Sequence, residues 1–131
     1  MSERNKEIVR AAVTALSRGD YERFLADAAD DLEFHVIGDT AFSGTVSGKA
    51  TLLAQLDQAL GDGLEGNLEM SIERLIAEGD FVAEQSTGQA RTKGGVDYHN
   101  TYCRIWKIED GSVQSITEYL DTEAVTQVLV G

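Results

Sequence analysis

The sequence predicts an α+β fold, an antiparallel sheet with helices packed on one face, and three observations carry that prediction. Apolar residues recur at helical spacing in the first half of the chain. Four runs of strand character then follow one another from Asn67 to Leu120, divided by turns that contain glycine. Helices first and a long meander afterwards is also the order of α+β proteins rather than of alternating strand–helix units.

Each element has a local reason. In "NKEIVRAAVTALSRGD", Ile8, Val9, Ala12, Val13 and Leu16 fall on one helical face. Gly19 suits the C-cap of that helix, and Asp20 suits the N-cap of a second one, "YERFLADAA". "DLEFHVI" alternates Leu32, Phe34 and Val36 against Glu33, His35 and Ile37, which is a strand pattern that turns His35 away from the core. "GDTAFSGTVSG" is a loop by composition. Ser47 caps a third helix that runs to Leu60, with Leu52, Leu53, Leu56 and Leu60 on one side, and "GDGLEG" ends it. The strand runs are Asn67–Ala77, Phe81–Ala90, Val96–Ile108 and Ser112–Leu120. "TEAVTQVL" forms a last short helix, capped by Asp121 and Thr122.

Bulk properties narrow the function. A chain of 131 residues, with no linker or low-complexity tract, reads as one domain over 1–131. The net charge of −12 repels phosphate backbones and anionic lipid, so neither nucleic acid nor a membrane surface is an expected partner. The single cysteine, Cys103, excludes an internal disulfide and fits a reducing compartment. "MSERNKEIV" has no apolar signal core, and no apolar run approaches the roughly 20 residues of a membrane span. A cytoplasmic location is expected. The histidines and the cysteine fall on separate strands without zinc-ligand spacing, and there is no glycine-rich phosphate loop or serine elbow. No metal or cofactor is expected.

The turns set an expected register. "EDGS" predicts a two-residue hairpin turn at Asp110-Gly111, after which Ile105 pairs with Ile116, Cys103 with Glu118 and Thr101 with Leu120. Across "TKGG", Thr92 faces Val96, which sets Arg91 opposite Asp97 and Glu84 opposite Arg104, two pairs of opposite charge. The same choice sets Gln85 opposite Cys103, Thr87 opposite Thr101 and Gln89 opposite His99. One sheet face then carries Ile105, Ile116 and Leu120 with Gln85, Thr87, His99, Thr101, Cys103 and a single carboxylate, Glu118. Apolar walls with a few placed polar groups are the makeup of a small-molecule pocket. The other face carries Tyr98, Tyr102, Trp106 and Tyr119, a composition that suits a homodimer interface.

In that register Glu118 is the candidate catalytic residue. An apolar cavity disfavours the charged form of a carboxyl, which suits it to give and take protons at cellular pH. His99, Gln85, Thr87, Thr101, Cys103, Ile105, Ile116 and Leu120 are the candidate substrate-binding residues. His99 lies four residues from Cys103, roughly 13 Å at strand rise, so it would meet the far end of a substrate.

The chain as a whole resembles the nuclear transport factor two-like superfamily. The likeness runs through "RAAVTALSRGDYERFLADAADDLEF", "FSGTVSGKATL" and "YHNTYCRIWKIEDGSVQSITEYLDT", and the last segment most resembles the SnoaL-like branch. The resemblance implies a curved antiparallel sheet forming a cone with three helices, a deep pocket, and dimers through the outer sheet face. Ketosteroid isomerases of this superfamily use a tyrosine and two aspartates where this chain has Ala12, Val36 and Cys103, so the resemblance does not carry that mechanism over. Limonene epoxide hydrolases use an arginine and two aspartates, and the matching positions are Gln85, Thr87 and Glu118. SnoaL-like polyketide cyclases use an aspartate on the final strand, where Glu118 again stands. Two functions follow: a cofactor-independent acid–base enzyme (isomerase, cyclase, dehydratase or hydrolase) acting on a hydrophobic, oxygenated small molecule, or a non-catalytic ligand-binding or dimerisation module of the same fold.

Overall fold

The computed structural model describes residues 2–130. The chain begins with α1 (Ser2–Ser17) and a single helical turn, α2 (Tyr21–Phe24). Strands β1 (Ala28–Val36) and β2 (Gly44–Ser47) follow, then α3 (Lys49–Leu56), which widens into a π-helical turn over Asp57–Gly61. The meander is β3 (Glu69–Glu78), β4 (Phe81–Arg91), β5 (Asp97–Glu109) and β6 (Ser112–Leu120), and α4 (Thr122–Val130) closes the described chain. The strands form one sheet in the order β2-β1-β6-β5-β4-β3. The α+β class is as the sequence predicts, with one difference from a wholly antiparallel sheet: β1 runs parallel to β6.

Several local signals act as expected. The Gly19 N–H bonds to the Leu16 carbonyl at 3.0 Å with φ at 76°, the left-handed conformation that ends α1. Asp20 accepts from the Arg23 N–H at 3.2 Å, and Asp121 accepts from the Glu123 N–H at 3.0 Å. Other boundaries move. The second helix stops at Phe24, and β1 starts at Ala28 rather than Asp31. The segment read as a loop contains β2, whose Thr45 receives the His35 ring at 2.8 Å. Gly48, not Ser47, precedes α3, without a side-chain cap.

The helices cover one face of the sheet, here termed inner. Val9, Val13 and Leu16 of α1, Phe24 and Leu25 pack with Leu32 and Phe34 of β1 and with Val82, Trp106, Ile108, Val113 and Ile116. Phe24 meets Trp106 edge-on, with ring centroids 6.0 Å apart.

The β4–β5 register is the predicted one, residue for residue from Arg91–Asp97 to Phe81–Lys107. The β5–β6 register is not. The turn forms as predicted, with positive φ at both Asp110 and Gly111, and Ile108 faces Val113. Then Lys107 faces Ser115, so Gln114 is an extra residue on β6. Beyond this bulge every pairing is displaced by one: Trp106 faces Ile116, Arg104 faces Glu118 and Tyr102 faces Leu120. A one-residue shift exchanges the faces of a strand. Ile116, Glu118 and Leu120 therefore join Tyr98, Asn100, Tyr102, Arg104 and Trp106, and part from Gln85, Thr87, His99, Thr101, Cys103 and Ile105.

Candidate active site

Three charged side chains from adjacent strands converge on the inner face. Glu84 of β4 has no exposure at all, and Arg104 of β5 is 2% exposed. Glu84 Oε2 accepts from Arg104 Nη1 at 2.7 Å and from Ser86 Oγ at 2.6 Å, while Oε1 accepts from Trp106 Nε1 at 3.0 Å. Three donors thus compensate for the loss of water around that carboxylate. Arg104 Nε donates to Glu118 Oε1 of β6 at 2.8 Å. The guanidinium also lies 4.7 Å from the centre of the Tyr102 ring, within cation–π range. Burial acts to lower the Arg104 pKa, but Glu84, then Glu118, outweigh it and hold the group above its ordinary value.

A cavity of about 790 Å³ opens beside this cluster. Its walls are largely apolar, with Phe34 and Val36 from β1, Leu52 and Leu56 from α3, and Val125 and Val128 from α4. Arg104, Glu118, Tyr98 and Tyr102 supply charged and hydroxyl groups to the wall. Glu84 is not part of the wall; it anchors Arg104 from behind. The π-helical turn contributes Ala59 and Leu60.

Glu118 and Leu120 line the cavity, though by the displaced register and not the expected one. Ile116 lies in the hydrophobic core against Trp106. The other expected binding residues are on the outer face. Gln85 accepts there from Arg74 Nη1 at 2.7 Å, Cys103 and Ile105 are half-buried, and His99 and Thr101 are exposed. Thr87 and His99 border a separate, smaller outer depression of about 250 Å³. The expectation of an aromatic outer interface is likewise corrected: Tyr98, Tyr102 and Trp106 face inward, and only Tyr119 of that set is on the outer face, 44% exposed. Sequence reasoning did find the Glu84–Arg104 pair but placed it on the wrong face, and it missed Tyr98, Asn100 and Tyr102 as site residues. One signal was present. Val113 and Ile116 are both apolar and stand an odd number of residues apart, so a regular pleat cannot bury both without an extra residue between them.

Among the described residues no group of three metal-ligating side chains converges, and no helix is long and apolar enough to cross a membrane.

The sheet, the helices on its inner face and the cavity beside them define an α+β fold class. The SnoaL-like domain family model matches residues 9–116, and the chain belongs to this family within the nuclear transport factor two-like superfamily. A nuclear transport factor two-like protein from Burkholderia xenovorans is similar at 27% identity and a TM-score of 0.78, over 98% of this chain and 97% of that one. An epoxide hydrolase from M. tuberculosis, of the limonene epoxide hydrolase-like kind, shares the fold at 20% identity and a TM-score of 0.79, over 98% and 91%. So does TerC, crystallised with polyporic acid, at 22% identity and 0.80, over 98% and 99%. No curated protein sequence matches the chain.

Proposed function

We propose that this protein is an acid–base enzyme that acts on a hydrophobic, oxygenated small molecule held in the inner cavity, with Glu118 as its base. One observation carries the reading. Glu118 lines the cavity, and one of its oxygens is held by Arg104, which Glu84 fixes in turn. Among the described residues the other oxygen, Oε2, has no hydrogen-bond partner. Glu118 Oε2 is then the oxygen open to a substrate proton, while Oε1 stays on Arg104. It takes a proton from carbon beside a carbonyl, or from a water that attacks the substrate.

Of the positions that match the arginine and two aspartates of limonene epoxide hydrolases, Gln85, Thr87 and Glu118, only Glu118 keeps a carboxylate, and it pairs here with Arg104, which Glu84 holds. The hydrolase and the polyporic-acid-bound neighbour support an oxygenated substrate of this general kind. Glu84 stands behind Arg104, so it positions the site and does not touch the substrate.

The test is a panel of apolar ketones and epoxides assayed in D₂O and in H₂¹⁸O. Deuterium incorporation beside a carbonyl, or labelled oxygen in an opened epoxide, should depend on the wild-type carboxylate and be lost in Glu118→Gln. Equal turnover by that variant defeats the proposal. A second reading, a non-catalytic binding module, is favoured by the short ion pair itself, which is also what a static wall would contain. Ligand binding without any Glu118-dependent turnover across the panel selects it.

The remaining expectations belong to the same reading: one domain, a homodimer and a cytoplasmic location. The exposure of Ile76, Phe81 and Tyr119 on the outer sheet face supports that face as the proposed dimer contact. Light scattering of the wild type and of Phe81→Glu tests this, with a monomer expected for the variant.

A further inference from the structure

The hydroxyls of Tyr98 and Tyr102 lie 2.6 Å apart, and both residues line the cavity. The protons in this contact can be assigned by counting. Asn100, between them on β5, is 1% exposed, and its neighbours fix its amide orientation. Its Oδ1 accepts from the backbone N–H of Thr101 at 2.8 Å and of Asp121 at 3.0 Å. Its Nδ2 therefore donates, to the Asp121 carbonyl at 2.9 Å and to the Tyr98 hydroxyl oxygen at 2.8 Å. The Tyr98 oxygen is an acceptor toward Asn100.

Two phenols bring two protons, and one lies between their oxygens. Among the described residues the other has no acceptor. If Tyr98 donates to Tyr102, the Tyr102 O–H is left over. If Tyr102 donates to Tyr98, the Tyr98 O–H is left over. Either way one phenol proton remains to be donated to whatever enters the cavity. Burial raises the pKa of both phenols, so both stay protonated well beyond neutral pH.

We propose that Tyr98 and Tyr102 act together as one hydrogen-bond donor for an uncharged acceptor oxygen of the ligand, a ketone, quinone or epoxide. The charge balance supports the uncharged form. Glu118 and Arg104 are the charged side chains of the wall, with Glu84 behind, two carboxylates to one guanidinium. A ligand carboxylate would enter beside an excess of negative charge. Position supports the donor role. Tyr102 faces Leu120 and Arg104 faces Glu118, so Tyr102 and Glu118 are diagonal neighbours on one face, roughly 7–8 Å apart. This deepens the proposed function, on which it rests for the cavity as substrate site. As Glu118 takes a proton from the adjacent carbon, the C–H electron pair moves toward the ligand oxygen. The phenol proton then stabilises the charge that builds there.

The experiment uses three probes of one shape class: acetylnaphthalene, its hydrocarbon analogue isopropenylnaphthalene, and naphthoate. The wild type should hold the ketone about tenfold more tightly than the hydrocarbon, since an unmet buried donor disfavours the latter. Naphthoate should bind most weakly. Tyr98→Phe and Tyr102→Phe should each keep the ketone preference, because each leaves one donor, and the double variant should lose it. The carbonyl stretch of bound ketone gives a second measurement, moved to lower frequency in the wild type and in both single variants. That reading stands even if the double variant does not fold. No ketone preference in the wild type, its loss in either single variant, its survival in a folded double variant, or tighter naphthoate binding would each overturn the proposal. Glu118→Gln separates the two readings. A kept ketone preference with lost turnover supports both. Lost turnover without a wild-type preference leaves only the base, and a preference with undiminished turnover leaves only the donor pair.

Discussion

Glu118 and Arg104 face each other across β5 and β6, joined from Oε1 to Nε at 2.8 Å, and that pairing exists because Gln114 bulges out of β6. The ion pair and the bulge are one structural fact. Were Gln114 instead paired with Lys107 in a regular ladder, Glu118 would stand opposite Cys103, on the outer face.

Glu118→Gln should fold like the wild type, because the amide can still accept from Arg104 Nε at the same position. Turnover on a substrate found by the isotope panel should fall by about 10²–10⁴-fold. Steady-state kinetics with a urea melt on the same preparation checks both halves.

Arg104→Met should be among the most damaging changes. It leaves the unexposed Glu84 carboxyl with only Ser86 and Trp106 as donors. Removing one partner of such a buried pair costs about 3–5 kcal/mol. Adding Glu84→Gln should recover part of that loss. Urea denaturation of the single and double variants measures it, and equal stability of Arg104→Met and the wild type would show that the pair is dispensable.

Stability should fall as pH rises above 10. Tyr98 and Tyr102 have folded-state pKa values raised by burial above the ordinary 10.0, and burial raises that of Tyr21, with Asp57 adding to it. The unfolded chain releases these protons first, so the stabilisation is complete below pH 10 and is lost as pH climbs through the folded values. Phenolate absorbance followed during alkaline titration should show these residues ionising together with unfolding. Tyr98→Phe/Tyr102→Phe, if folded, should show a shallower loss.

Gly88→Ala should disturb the tyrosine pair without touching either hydroxyl. A Cβ at this position would come within 2.8 Å of Met70 Sδ and 2.9 Å of Tyr102 Cε2. Relieving that contact should cost about 1–3 kcal/mol and move the Tyr102 ring. A lowered melting temperature with the ketone preference kept, since Tyr98 still donates, is the expected result.

Deleting Gln114 should be tolerated. It removes the extra residue but keeps Lys107 opposite Ser115 and Arg104 opposite Glu118. Deleting Thr117, beyond the bulge, should instead turn Glu118 to the outer face and abolish turnover. Comparing the turnover and melts of the two deletions tests the register directly.

Most of the architecture could be read from local pattern. The four long strands, the turn at Asp110-Gly111, the caps at Asp20 and Asp121 and the β4–β5 register all follow from backbone preferences and neighbouring charges. These are interactions between residues close in sequence or joined by a short turn, so their cause lies in the sequence segment itself. That Glu118 lines the cavity was legible too, but for a reason that did not hold, because its assigned neighbours lay on the other face. The inner face was decided by the tertiary structure. Whether β6 bulges at Gln114 depends on burying Val113 and Ile116 together against Trp106, Ile108 and the helices, a demand that comes from the assembled core and not from the hairpin. The same burial put Glu84, Arg104 and the tyrosine pair beneath the helices. A pairing that reads as a solvent-exposed cross-strand contact in the hairpin alone thereby became the anchor of the cavity wall. Pattern sets the strands, but the face each one turns inward is chosen by what the whole fold must bury.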